Sequence, residues 1–392
     1  MGGPDPGRLV NPDYITKKPI DLSSLPELEP TEFLPSNVGK LYKFSAHSLK
    51  AFERFSLPDS IAVDWKPTPT PTTTMRKASV EMISKLNNSI SHKEGDPSVL
   101  TLTGPPGSGK STVMLQAVSH AVQQNWIVLY IPDVKSLVNG QYAYEYCPKN
   151  QIYHQNTLSV SILNTLKSSN LGGINLDQEY KLYGMKDEKL IESTEPIQVG
   201  LPITNLIQIG IHQPHLAPKV LEIVLDVLAH QTLRPMLLAL DGVQNLLKPS
   251  GYKDGSFQDI DSFVLNVPRA LLRFARGSIR LKKGLTLLSA SSLDPTSKSI
   301  AWDLTALKGE MPSGYIWPGW AAYGELAKPI YGFPKLEIGS LEREEAVGMA
   351  IGLQLTKQIL GPLSDRVFVR HLVSSSGNAR EFRREIKFQT GL

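Results

Sequence analysis

Residues 104–111 read Gly-Pro-Pro-Gly-Ser-Gly-Lys-Ser. The run fits G-x-x-x-x-G-K-[ST] at each fixed position. Gly104, Gly107 and Gly109 let the backbone turn tightly and aim N–H groups inward at a phosphate chain, with Pro105, Pro106 and Ser108 filling the turn. Lys110 would place an ammonium on the phosphates. Ser111 would ligate Mg²⁺ through its hydroxyl and, with Thr112, open a helix whose positive end faces the anion. Context supports this reading. Val99–Thr103 is a short β-rich run, and Thr112–Gln123 carries Val113, Leu115, Ala117 and Val118 without a helix breaker. Strand, loop, helix is the required setting. A surface turn rich in Gly and Pro would not need Lys-Ser at a helix start.

The second half of such a site is a carboxylate at the end of a neighbouring strand. Met236–Asp241 is an apolar run ending in Asp241, which would hold a Mg²⁺-bound water beside the loop. Trp126–Ile131 and Leu285–Ser291 are two more buried strands, the latter ending in hydroxyls, and Lys335–Ile338 is a fifth candidate. Helices are expected at Met75–Ile90, after the loop, at Thr157–Leu166 and at Val220–Ala229. Strands alternating with helices imply an α/β fold, a parallel sheet wrapped on both faces with its ligand at the C-terminal strand ends. Residues 76–340 would form this nucleotide domain. An insertion rich in Gly, Pro and Asn falls at about 168–215, and its His212 and His215 have no third ligand in view. Residues 341–392 read as a smaller, mainly helical lid.

Residues 1–75 are rich in Pro, Thr and Ser and read as an extended N-terminal arm with little core of its own. Lys66–Pro71 should be stiff and extended. One short helix is expected near Ser45–Phe55. The aromatics Phe33, Tyr42, Phe44, Phe52, Phe55 and Trp65 favour an arm that orders on a partner over a free tail.

Composition narrows the classes. No segment approaches the roughly 18 apolar residues of a membrane span. Cys147 is the single cysteine, so there is no intrachain disulfide and no cysteine metal site. The segment Met1–Pro30 is not a secretory signal and makes a poor mitochondrial presequence. The net charge of +4 is too small to argue nucleic-acid binding by itself, and nothing points to DNA.

One stretch is locally basic. Arg269, Arg273, Arg276 and Arg280 are spaced four, three and four, Lys282 and Lys283 extend the run, and no acid occurs between Asp261 and Asp294. On a helix these would form one stripe opposite Leu271, Leu272, Phe274 and Ile279. A solvated face usually mixes signs, and a stripe of one sign is expected to meet RNA phosphate.

The order of the P-loop, the Asp241 strand, the strand ending at Ser289–Ser292 and the late Ser376–Glu381 resembles AAA+-like and STAND-type P-loop proteins. More narrowly, Leu102–Ser111, Tyr130-Ile131-Pro132, the Tyr-rich stretch into Ile152–Gln155, Leu240–Asn245 and Gly377–Glu381 resemble the death-associated protein three family of mitochondrial small-subunit ribosomal proteins. Asp-Gly-Val-Gln-Asn after the strand is the most specific element. Gln155-Asn156 departs from the family's usual Gln-Pro. The resemblance implies a protein of the mitochondrial matrix that binds GTP or GDP, with ribosomal RNA of the small subunit and neighbouring mitochondrial ribosomal proteins as partners. The loop itself suits ATP equally well, since no guanine signature of the common GTPases occurs in the expected loops. Arg380 either reaches the phosphates from the lid or is a surface arginine.

Hydrolysis is expected to be slow or absent. An active AAA+ ATPase has Glu after the strand-terminal Asp, and this chain has Gly242. Gln244 and Asn245 can orient a water but accept its proton poorly. The competing functions are an AAA+/STAND switch and a P-loop kinase.

Overall fold

In the computed structural model the described residues are 22, 24–66, 70–91, 98–290, 330, 332–359 and 363–389. Five strands form one sheet: β1 (Val99–Thr103), β2 (Ile127–Ile131), β3 (Met236–Asp241), β4 (Gly284–Ser289) and β5 (Lys335–Glu337). Their order is β5-β1-β4-β3-β2 and all neighbours run parallel. The register sets Ser289 beside both Leu102 and Asp241, so three strands end at one edge. Ser291 and Ser292, expected at the end of the fourth strand, lie outside the described residues.

The strands are apolar on both faces because both faces are covered. Ile127, Leu129, Leu238, Leu240 and Leu288 point into one core, while Leu100, Leu102, Val128, Leu237 and Leu287 point into the other. The helices in chain order are α1 (Ala46–Phe55), α2 (Asp59–Trp65), α3 (Lys77–Asn88), α4 (Lys110–Gln123), α5 (Asn156–Lys167), α6 (Ile203–His212), α7 (Ala217–His230), α8 (Asn266–Ala275), α9 (Arg343–Leu355), α10 (Asp365–Ser374) and α11 (Ala379–Gln389). Helices α5–α8 supply the first core, and α1, α3 and α4 the second. Helices α9–α11 keep a small core of their own around Leu353, Phe368 and Phe382. Among the described residues no helix is long and apolar enough to cross a membrane.

One expectation needs correction. The described part of the N-terminal segment does not stand apart. Leu28, Phe33, Tyr42, Phe44, Phe52, Phe55 and Ile61 are buried in the second core. Phe55 meets Tyr130 of β2 edge-on at 6.1 Å, and Ser48 Oγ lies 2.8 Å from Ser119 Oγ of α4. The aromatics therefore order on the chain's own domain. Helix α1 begins where expected, its Ser45 hydroxyl accepting from Ser48 N–H, and it stops at Ser56 with φ at 65°. Pro67–Pro69 lie outside the described residues. Residues 168–215, the expected insertion, carry regular structure. They hold α6 and a hairpin, Tyr183–Lys186 with Lys189–Glu192. The Tyr-rich stretch forms another hairpin, Glu145–Cys147 with Ile152–His154.

Candidate functional site

The loop between β1 and α4 turns on three glycines at φ 140°, 80° and 102°, Gly104, Gly107 and Gly109. A Cβ on Gly107 would stand 2.6 Å from Asn378 Oδ1 and 2.9 Å from Arg380 Cβ, so both the angle and the space demand glycine. No side chain caps the first turn of α4. Its leading N–H groups, beginning at Lys110, Ser111 and Thr112, are the orphan donors of a helix start and suit an anion.

Lys110 is almost fully buried. Its ammonium donates to the Gly104 and Pro105 carbonyls at 2.9 and 3.0 Å. Burial pushes its pKa down, Asp241 pulls it up, and Arg380 lowers it further. An ammonium held so dry beside a second cation gains from a multivalent anion. Asp241 is buried at the end of β3, and Ser111 Oγ donates to its Oδ2 at 2.5 Å. Burial raises the Asp241 pKa. Ser111, Ser289 and Lys110 favour the ionised form, and Asp133 opposes it. Asp241 Oδ1 and the Ser289 hydroxyl are buried without a full hydrogen bond, although Ser289 is near enough to favour the carboxylate. A buried carboxylate oxygen short of a full hydrogen bond, beside the Ser111 hydroxyl, is a donor set that fits Mg²⁺. Among the described residues no group of three or more His, Cys, Asp and Glu side chains forms a metal cage. The remaining ligands of such an ion would come from phosphate and water. His212 and His215 belong to no such cluster.

The late Gly377–Glu381 segment docks on the loop. Asn378 Nδ2 donates to the Pro106 carbonyl at 2.7 Å, and Arg380 N–H donates to the Gly107 carbonyl at 3.1 Å. Asn378 Oδ1 also receives the N–H groups of Arg380 and Glu381, which starts α11. A cleft of about 640 Å³ opens here, lined by the loop, Asp241, Arg380, Arg384 and, opposite, Ile61 of α2 and Met349 of α9. Arg380 thus shares the cleft with Lys110 and Asp241.

Gly242 follows Asp241 at φ 83°. A glutamate there would be strained as well as absent, since L-residues avoid that region. The Asp133 Oδ1 atom lies 3.9 Å from where a Cβ on Gly242 would stand. It accepts from Lys135 N–H at 2.9 Å. Asp133 was not legible as a site residue, because only the sheet order brings β2 beside β3. Arg76 was missed because its contacts with the loop and with Glu345 form only in the tertiary fold. It is buried under the loop and donates to the Ser108 carbonyl from a position 32 residues away.

The basic stripe is not one helix face. Helix α8 ends at Ala275, Arg276 is its C-cap, and Gly277 turns at φ 67°. Arg280, Lys282 and Lys283 therefore follow in the loop before β4. Arg269, Arg280 and Lys282 are exposed. Arg273 lies 3.5 Å from Asp226 and 3.9 Å from Glu222, both on α7. The acids missing from the local sequence are supplied by another helix. Leu271, Leu272, Phe274 and Ile279 are buried as expected.

A family model described as mitochondrial ribosomal death-associated protein 3 matches residues 73–385. The chain is 23% identical over 305 residues to small ribosomal subunit protein mS29 of Neurospora crassa, covering 77% of this chain and 61% of that protein. It is 26% identical over 296 residues to mS29 of Schizosaccharomyces pombe, covering 72% and 60%. For mS29 of Bos taurus the values are 24% over 237 residues, covering 59% and 57%. The chain thus spans about 60% of the length of these curated relatives.

Proposed function

The chain belongs to the mitochondrial ribosomal death-associated protein 3 family, and from that premise we propose that it is a nucleotide-loaded structural component of the mitochondrial small ribosomal subunit. Its place is the mitochondrial matrix, and its partners are ribosomal RNA and neighbouring ribosomal proteins, as the names of its relatives suggest. The ligand we assign is a guanine nucleotide, GTP or GDP, with Mg²⁺. The observation that carries the nucleotide reading is the meeting of Lys110, Ser111 and Asp241 at the C-terminal edge of the parallel sheet.

In this reading the N–H groups of the loop and of the α4 start cradle the phosphates. Lys110 leaves the loop carbonyls to neutralise them. Ser111 and Asp241 would hold Mg²⁺, which would supply positive charge to the phosphate chain. Helices α9–α11 act as an AAA+-like lid, with Arg380 facing the phosphates. Gly242 removes the usual water-activating carboxylate, so the ligand serves the fold and its assembly more than turnover. The same feature counts against a switch or motor ATPase.

Two measurements test the proposal. Denaturing the purified protein should release a stoichiometric guanine nucleotide, identified by chromatography. The native protein should co-sediment with the mitochondrial small subunit at moderate salt. Release of no nucleotide and sedimentation as a free protein would defeat the reading.

A further inference from the structure

No sequence motif includes Arg76. It occupies the N-cap position of α3, and the residue is 6% exposed. Its guanidinium spends its donors on three separate parts of the chain. One Nη donates to the Ser108 carbonyl in the phosphate loop. The other donates to the Gly339 and Ser340 carbonyls at 3.0 and 3.3 Å. Nε donates to Glu345 Oε2 at 2.9 Å. Glu345 is itself 2% exposed, in the first turn of α9, and also accepts from the N–H groups of Lys77 and Glu342. A Cβ on Gly109 would stand 3.2 Å from the Arg76 guanidinium, which therefore packs directly against the last turn of the loop.

We infer that Arg76 is a positioning residue for the phosphate loop, and that Glu345 makes this positioning conditional on the docking of α9. The guanidinium is dry, and Glu345 is the carboxylate that balances it. A buried charge that loses its partner moves toward water or drags water in. Withdrawal of Glu345 therefore releases Arg76, and with it the Ser108 carbonyl that shapes the loop. The converse follows by reciprocity. A ligand that fixes the loop fixes Arg76, then Glu345, then α9. This second half rests on the nucleotide reading above. The loop-shaping half does not.

The test uses the full chain and three variants. Glu345→Gln keeps the size and removes the charge. Arg76→Lys keeps the charge but cannot reach Ser108, Gly339 and Ser340 together. Arg273→Gln removes a cation outside the loop cleft and serves as the control. Hydrogen exchange of residues 107–111 without nucleotide should be about tenfold faster in both Glu345→Gln and Arg76→Lys, and unchanged in Arg273→Gln. Adding Mg²⁺-GDP should slow exchange in α9 of the wild type. In Glu345→Gln that response should vanish and the affinity should fall by about tenfold. Loop exchange equal to wild type in both variants would overturn the inference. So would a Glu345→Gln protein that is less stable yet keeps nucleotide-dependent protection of α9. A wild type that binds no nucleotide would defeat the nucleotide reading, while the loop-exchange arm would still decide the role of Arg76. Should Glu345→Gln fail to fold, Arg76→Lys gives the same loop readout.

Discussion

The phosphate loop and the basic helix α8 both looked electropositive in the sequence, yet the fold treats their cations in opposite ways. At the loop, Lys110 is dry and shares a cleft with Arg380, with one buried carboxylate beside it. At α8, Arg273 is 41% exposed and already faces Glu222 and Asp226. The first arrangement concentrates positive charge where water is excluded and leaves it wanting an anion. The second cancels charge at a wet surface, where an ion pair contributes little. Desolvation and acidic neighbours, more than the number of cations, set how strongly each region should attract an anion.

The sharpest way to break this contrast is to remove one cation from each region. Lys110→Ala should cost roughly 2–5 kcal/mol of nucleotide affinity, the range for truncating one partner of a desolvated charge pair. Nucleotide should then no longer raise the thermal midpoint, which for wild type rises by mass action. Arg273→Gln should leave that nucleotide-induced rise intact and destabilise by about 1 kcal/mol or less. Calorimetric titration of both variants checks the pair. If Lys110→Ala binds as wild type does, burial of the lysine has nothing to do with phosphate.

Turnover sharpens the comparison from the other side of the loop. Removal of a general base costs about 10²- to 10⁴-fold, and Gly242 leaves that place empty. Single-turnover rates with Mg²⁺-GTP or Mg²⁺-ATP should fall well below ~1 s⁻¹, the bottom of the common enzyme range. The carboxylate found near the Gly242 position is Asp133. Any residual rate that depends on a base should drop in Asp133→Asn. A rate of ~1 s⁻¹ or more that survives in Asp133→Asn would show that the base comes from elsewhere.

Each region also holds a buried histidine, and here the two should behave alike. His120 in α4 packs edge-on to Phe33 at 5.6 Å, and His154 lines a second, separate cavity with Arg269 and Arg273. Burial lowers both to about 4 from the ordinary 6.5, with Glu222 opposing and Lys219 assisting at His154. A lowered folded pKa means that the stability is present above the unfolded pKa. It is lost as the pH falls from about 6.5 toward 4, because the unfolded chain takes up the proton first. The loss is about 3 kcal/mol per histidine once both states are protonated. Urea midpoints from pH 7 to pH 4 should slope for wild type and flatten by about half in His120→Gln. An unchanged slope in that variant would assign the acid sensitivity elsewhere.

What could be read from the sequence follows the range of the interactions. The loop was legible because glycine spacing and a Lys-Ser helix start act within eight consecutive residues. The strands were legible because both faces are buried, which leaves apolar runs such as Met236–Leu240 with no alternation to decode. The packing of the N-terminal aromatics was not legible, because their partners, such as Tyr130 for Phe55, come from the sheet. Arg76 and Glu345 are 269 residues apart and meet only through the tertiary fold. The basic stripe failed for two separate reasons. Gly277 ended the helix at a point that spacing alone cannot see. The neutralising acids sit on α7, outside the acid-free window that motivated the RNA reading.

The smallest effect is the most discriminating for RNA. If the basic region touches phosphate, its exposed members Arg269, Arg280 and Lys282 should carry the contact, and Arg273 should contribute nothing beyond its pairs on α7. Each lost phosphate contact makes the log–log salt dependence shallower by roughly 0.7 to 0.9. A change of one such contact is about 1 kcal/mol or less at moderate salt, because exposed charges are screened within about 8–10 Å. Binding of the intact protein to the small subunit should therefore be followed across a salt series for wild type, for Arg273→Gln, and for the triple replacement Arg269→Gln, Arg280→Gln, Lys282→Gln. Circular dichroism confirms the fold of each. The triple variant should lose up to about 2.1 to 2.7 units of slope, and Arg273→Gln should overlay wild type. An unchanged slope in the triple variant would make the whole run a solvated surface. A shallower slope in Arg273→Gln would mean that the α7 acids yield to RNA, and that the neutralisation seen here is exchanged on binding.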